Sequence, residues 1–131
     1  MSSVNKNASH EIVYDAEKNR IYITATGDWD LAQSDAFLRD YKEALARTQP
    51  GFTVVSDVRA FECSAEDVQE NHAAAIRMDA EAGVKKVARV VGTTPLAGFQ
   101  IRRISQTVED YESKNFATLE EAEKYLDSDD E

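Results

Sequence analysis

The chain has 131 residues, 42% of them hydrophobic and 31% charged, enough apolar material for one hydrophobic core and too much for wholesale disorder. Its formal net charge of -10 repels phosphate backbones and anionic headgroups, which excludes nucleic acid and membrane surfaces as default partners. The lone Cys63 cannot close an intramolecular disulfide, no charged-then-apolar leader opens the chain, and no apolar run approaches the roughly 20 residues of a bilayer span, so a cytoplasmic location is expected.

Residues 1–10 are small and polar and read as a loose tail that includes His10. Glu11-Ile-Val-Tyr14 and Arg20-Ile-Tyr-Ile-Thr-Ala-Thr26 then flank the polar connector Asp15-Ala-Glu-Lys-Asn19, the pattern of an antiparallel hairpin. Gly27-Asp-Trp-Asp30 breaks the alternation. From Leu31 the spacing becomes helical, with Asp30 as N-cap and Phe37, Leu38, Tyr41, Ala44 and Leu45 on one stripe, until Gln49-Pro-Gly51 interrupts it.

Phe52 to Val58 is β-rich and almost continuously apolar, which predicts a central strand buried on both faces. Glu66 to Ala82 reads as a helix ended by Gly83, and Lys86 to Val91 as a second buried strand. Thr94 and Pro95 open a further helix whose apolar stripe is Ala97, Ile101, Ile104, Val108 and Tyr111. Lys114 to Ala117 makes a last short strand. Thr118-Leu-Glu-Glu121 is a capping box that starts a final helix with Leu119, Ala122, Tyr125 and Leu126 directed inward.

The order β-β-α-β-α-β-α-β-α predicts a single α/β domain over 11–127, followed by an acidic tail at 128–131. Its sheet is mostly parallel, its first strand is an antiparallel addition, and about four helices cover it.

A hairpin followed by β-α units in so short a chain resembles the anti-sigma-factor-antagonist, or STAS, domain. The stretches Gly83-Val-Lys-Lys-Val-Ala-Arg-Val-Val-Gly92, Ala97 to Arg103 and Phe116 to Leu126 are similar to its SpoIIAA-like, STAS/SEC14-like branch. The resemblance implies the fold and a non-catalytic role in binding other proteins. It also implies a regulatory, phosphorylatable serine where the third strand meets the second helix, and Ser64 lies there. Cys63 stands where an aspartate is expected, and Ala65-Glu66 where a glycine is expected, so the usual phosphoserine motif is absent. The local chemistry of Ser64-Ala-Glu-Asp67 reads as a helix N-cap with acidic residues in the first turn.

Asp28, Asp30, Asp57 and Arg59 fall at or just past the carboxyl ends of strands, together with Thr93 and Thr94, and that edge is where open α/β sheets bind ligands. A small apolar or anionic ligand held by Trp29, Asp57, Arg59, Thr93 and Thr94 is therefore one expectation, and the SEC14-like resemblance implies a lipid-like one. The other, preferred, is association with another protein or with a second copy of the chain. Its candidate contacts are Phe99, which departs from the apolar stripe toward Arg102 and Arg103, and Trp29 as a surface anchor. His72 lies on the apolar face of its helix and reads as a core or boundary residue. With no second histidine or cysteine at ligand spacing, neither a metal nor a cofactor is expected, and no nucleophile has an identifiable base.

Overall fold

The computed structural model describes residues 9–62, 66–91 and 112–127. β1 (Ser9–Asp15) and β2 (Arg20–Asp28) form the expected hairpin, with Ser9 opposite Thr26 and Asp15 opposite Arg20. Ser9 and His10 thus belong to a strand, which shortens the tail expected over 1–10. In the turn, the Asp15 carboxylate accepts from the backbone N–H groups of Glu17 and Lys18 at 3.0 and 3.3 Å. Asn19 takes a left-handed φ of 53°, a conformation that asparagine tolerates better than most residues.

α1 (Leu31–Leu45) starts at Asp30, whose side chain accepts from the Gln33 N–H at 2.9 Å. After β3 (Thr53–Glu62), α2 spans Glu66–Ala82. Gly83, at φ 90°, ends it: its N–H returns to the Ala80 carbonyl and that of Val84 to the Asp79 carbonyl, the paired bonds of a left-handed helix terminus. β4 (Lys86–Val90) follows, and the chain closes with β5 (Glu112–Phe116) and α3 (Leu119–Asp127). The Thr118 hydroxyl accepts from the Glu121 N–H at 3.2 Å, and the Glu121 carboxylate reaches back to the Ala117 N–H at 3.3 Å, so the capping box forms one residue offset. The helix expected over 97–111 lies outside the described residues.

The five strands lie in the order β1-β2-β3-β4-β5, with β1 antiparallel and every other pair parallel. β3 is the middle strand, as its apolar run requires. Strand alternation sorts the side chains onto two faces. Ile21, Ile23, Val54, Val58 and Val87 join Phe37, Tyr41, Val68 and Ile76 of α1 and α2 in the larger core. Val55, Ala88 and Val90 meet Ala122 and Leu126 of α3 in a smaller one. Leu119, expected to point inward, is 41% exposed, because α3 packs through its later turns.

One irregularity reshapes the end of the sheet. Between Thr24 and Thr26 of β2 the register on β3 jumps from Asp57 to Ala60, so β3 carries one extra residue. That bulge reverses the alternation and lets Phe61 join Val58 on the α1–α2 face, where its ring meets Trp29 at 4.9 Å.

Candidate functional site

α1 and α2 do not fill the space over the sheet completely. Between them and strands β2 to β4 lies a cavity of about 50 Å³. Much of its wall is apolar: Ile23, Trp29, Phe37, Val58, Ile76 and Val87. Among the described residues, five polar side chains also line it: Ser56, Tyr41, His72, Asp79 and Arg89. Each occupies a position that local structure turns inward. Tyr41 belongs to the α1 stripe. His72 and Asp79 are seven residues apart on the α2 face that also carries Val68 and Ile76. Arg89 follows Val87 at a spacing of two, on the same face of β4.

Burial forces these groups to satisfy one another. Asp79 is 5% exposed and accepts a hydrogen bond from the Tyr41 hydroxyl. Burial pushes its carboxyl up to about 7 from an ordinary 3.8, against the opposing pull of the Tyr41 hydrogen bond and the Arg89 charge. His72 moves the other way. Burial lowers its imidazole from 6.5 to about 4; the backbone of Val68, one turn earlier, opposes this and the Arg89 charge adds to it. The residue keeps some exposed surface, yet its Nδ1 atom has none and makes no hydrogen bond of good geometry. Its ring stacks on Phe61 at 4.9 Å and on Phe37 at 6.1 Å. Near neutral pH the wall therefore carries a neutral imidazole, a carboxyl close to its midpoint and a guanidinium.

Trp29 is 2% exposed, which overturns its expected role as a surface anchor. Its indole N–H donates to the Thr26 carbonyl at 2.9 Å, and its ring meets Phe37, Phe61 and His72. His10, assigned by sequence to the tail, contacts the same cluster: its ring lies 5.9 Å from Trp29 and its nitrogens pair with Asp40 at 2.8 Å and Gln33 at 2.7 Å.

Asp57 and Arg59 come together, but on the other face of β3. The Arg59 guanidinium donates twice to the Asp57 carboxylate, at 2.9 and 2.7 Å, and the Arg59 N–H once, at 3.2 Å. Burial would raise the Asp57 carboxyl, yet these three bonds and the Arg59 charge hold it below its ordinary value. Trp29 lines the cavity together with Ser56 and Val58 of β3, whereas Asp57, between those two in the strand, is turned to the opposite face by strand alternation and does not join them. The remaining expected site residues, Ser64, Thr93, Thr94, Phe99, Arg102 and Arg103, lie outside the described residues.

Sequence reasoning placed Tyr41 in the core without a role and passed over Asp79 and Arg89. The readable signal was a charged residue at a position whose neighbours in the pattern are all buried, for Lys, Glu, Arg and Asp are almost never fully buried unless paired. Among the described residues, no three His, Cys, Asp or Glu side chains come together as metal ligands would, and no helix is long and apolar enough to cross a membrane.

No protein-family model matches the chain, and no curated protein matches it at a significant level. Solved structures do. An uncharacterized protein of the DUF3478 family with a SpoIIAA-like fold, from Shewanella loihica PV-4, superposes with a TM-score of 0.71 at 17% identity, covering 96% of this chain and 98% of that one. An anti-sigma factor antagonist from Mycobacterium paratuberculosis superposes with a TM-score of 0.60 at 17% identity, covering 91% and 95% respectively. The strand order, the antiparallel first strand and these superpositions agree that this chain has the SpoIIAA-like fold of STAS domains.

Proposed function

We propose that the chain is a non-catalytic, cytoplasmic regulatory module that acts by binding another protein or a second copy of itself. The observation that carries this reading is the shared fold with an anti-sigma factor antagonist over 91% of the chain. The internal polar chemistry agrees with it. Asp79 is held by Tyr41, Asp57 by Arg59, and Arg20 by Glu123 and Asp127, so these groups serve the fold.

The proposed contact face is the one bearing Phe99, Arg102 and Arg103, whose aromatic and guanidinium groups suit a protein interface. Ser64, between β3 and α2 in the chain, reads first as a helix cap because the usual phosphoserine motif is absent, and regulation through it is the alternative. Affinity capture from the native host, comparing the wild type with Arg102→Glu/Arg103→Glu, tests the face. A partner recovered by the wild type and lost by the variant supports it; equal recovery with both argues against it. Sedimentation of the purified chain across a range of concentrations separates self-association from capture of a different protein.

A further inference from the structure

We propose that the outer edge of β1 is a self-association surface, on which a second copy of the chain pairs its own β1 antiparallel about Ile12 and joins two five-stranded sheets into one. This surface uses none of Phe99, Arg102 and Arg103, and neither reading needs the other. β1 ends the sheet, so among the described residues its backbone meets a neighbour on one side only, and alternate N–H and C=O groups turn outward. Its seven residues keep unbroken register with β2, whereas proteins that protect such an edge shorten it, bulge it or place proline or lysine on it. β1 has none of these devices. Val13 at its centre is 50% exposed, the highest value among the large apolar side chains of the described residues.

Charge selects the register. Residues directly opposite in an antiparallel pair project to the same face, so the two-fold axis passes through a residue and never between two. Centred on Glu11, the axis would bring that carboxylate against the partner's Glu11; centred on Val13, it would set Glu11 opposite the partner's Asp15. Both are repulsive. Centred on Ile12, it sets Glu11 opposite the partner's Val13, His10 opposite the partner's Tyr14 and Ser9 opposite the partner's Asp15, so no like charges meet. That centre also pairs all seven residues, the longest overlap the strand allows.

The neighbouring helix repeats the match. α1 returns antiparallel to β2 and so runs along β1, and a groove between them is lined by His10, Tyr14, Asp40, Glu43 and Arg47. His10 bonds Asp40 at 2.8 Å, which fixes Asp40 at the His10 end; Arg47, about two helical turns further on, lies toward the Tyr14 end. Pairing about Ile12 brings the His10 end of each copy to the Tyr14 end of the other, so the exposed Asp40 faces the partner's Arg47. The Arg47 guanidinium is exposed and makes no ion pair among the described residues. Glu43, midway along the row, meets the partner's Glu43 and limits affinity, as does the formal net charge of -10 on each copy. One strand edge with its flanking side chains is a small interface, and the dissociation constant is expected to be of order 100 micromolar.

Sedimentation velocity of the purified chain, from about 10 micromolar to about 1 millimolar in about 0.15 M salt, should show a reversible equilibrium between monomer and dimer. Val13→Glu sets a carboxylate opposite the partner's Glu11 and should weaken the dimer about tenfold, while far-ultraviolet circular dichroism stays native because the side chain is half open to solvent. Glu11→Lys/Val13→Glu should restore it, since opposite charges then face each other across the edge. Arg47→Asp should weaken the dimer and Glu43→Gln should tighten it. A chain that stays monomeric at about 1 millimolar overturns the proposal. So does a dimer that survives Val13→Glu and dissociates in Arg102→Glu/Arg103→Glu, which would favour the face bearing Phe99 instead. A loss in Val13→Glu that Glu11→Lys fails to rescue would mean damage to the strand and also overturns the pairing.

Discussion

The hydroxyl of Tyr41 on α1 donates a hydrogen bond to the carboxylate of Asp79 on α2, and both side chains are buried between those helices and the sheet. This bond joins the two helices inside the core, as the exposed bond from the Asn71 amide to the Asp35 carboxylate, at 2.9 Å, joins them at the surface, and it holds a carboxyl whose charge the surroundings resist. The consequence is that stability and protonation are coupled inside the core.

Tyr41→Phe keeps the ring and its stacking on Phe37 but removes the donor. Leaving a buried carboxylate without that partner costs about 1–3 kcal/mol. The loss should be larger above pH 7, where Asp79 is ionised, than near pH 5, where it carries a proton. Urea denaturation at the two pH values measures the difference; an equal loss at both would show that the hydroxyl acts on neither form of Asp79 preferentially.

Asp79 and His72 give the chain two opposing pH dependences. Between pH 3.8 and about 7 the folded protein holds a proton on Asp79 that the unfolded chain has released, so this contribution to stability falls as pH rises through that window. Between 6.5 and about 4 the folded protein keeps His72 neutral while the unfolded chain protonates it, so this contribution is lost as pH falls. From about pH 4 to 6.5 the two slopes oppose each other. In Asp79→Asn the stability should rise with pH up to about 6.5, and in His72→Gln it should fall toward pH 7, each by up to about 1.4 kcal/mol per pH unit. Urea midpoints across this range that show the same slope in both variants would contradict the assignment.

Arg20 anchors α3 to the sheet. It is 4% exposed, its Nε donates to Thr53 at 2.9 Å, and its terminal nitrogens reach Glu123 and, at 3.0 Å, Asp127. Burial works against its charge, but Asp127 and Tyr22 keep its pKa above the ordinary value. Arg20→Met should destabilise the chain by about 1–3 kcal/mol, since the carboxylates left behind reach water, and it should speed hydrogen exchange in α3 more than in α1. Lys18→Ala, which removes a more exposed contact 3.9 Å from Glu123, should cost under about 1 kcal/mol.

The Asp57–Arg59 pair should matter little to stability despite its good geometry. Arg59 is largely open to solvent, and exposed pairs of this kind contribute under about 1 kcal/mol. Arg59→Ala should leave the urea midpoint nearly unchanged while the Asp57 carboxyl, followed by carbon NMR, moves up from its lowered value. A large stability loss would mean that the pair carries a structural role that the geometry does not suggest.

Much of the fold was legible because its signals are local. The helix from Glu66 to Ala82 matches its expected bounds to the residue, since acidic first-turn residues and a left-handed glycine mark its ends. Asp30 caps α1 as its position implied. The beginning of β1 was missed because Ser9 and His10 lack apolar character; pairing with Thr26 and Ala25, and the His10 contacts to Asp40 and Gln33, hold them in the strand. The bulge in β3 was invisible for a related reason. It is a register property of two strands, and neither strand alone records it.

By itself, the sequence determined the order of the described elements, the central place of β3 and the hairpin start, because propensity, capping and periodicity act over a few neighbouring residues. Only the tertiary structure decided which side of the sheet each polar residue meets. Trp29 lines the cavity while Asp57, expected at a strand end, lies in the middle of β3 and faces away from it, and Tyr41, His72, Asp79 and Arg89, scattered along the chain, were gathered around that cavity. Such groupings arise from strand pairing and helix packing between distant segments, and their electrostatic consequences exist only once water has been excluded from between them.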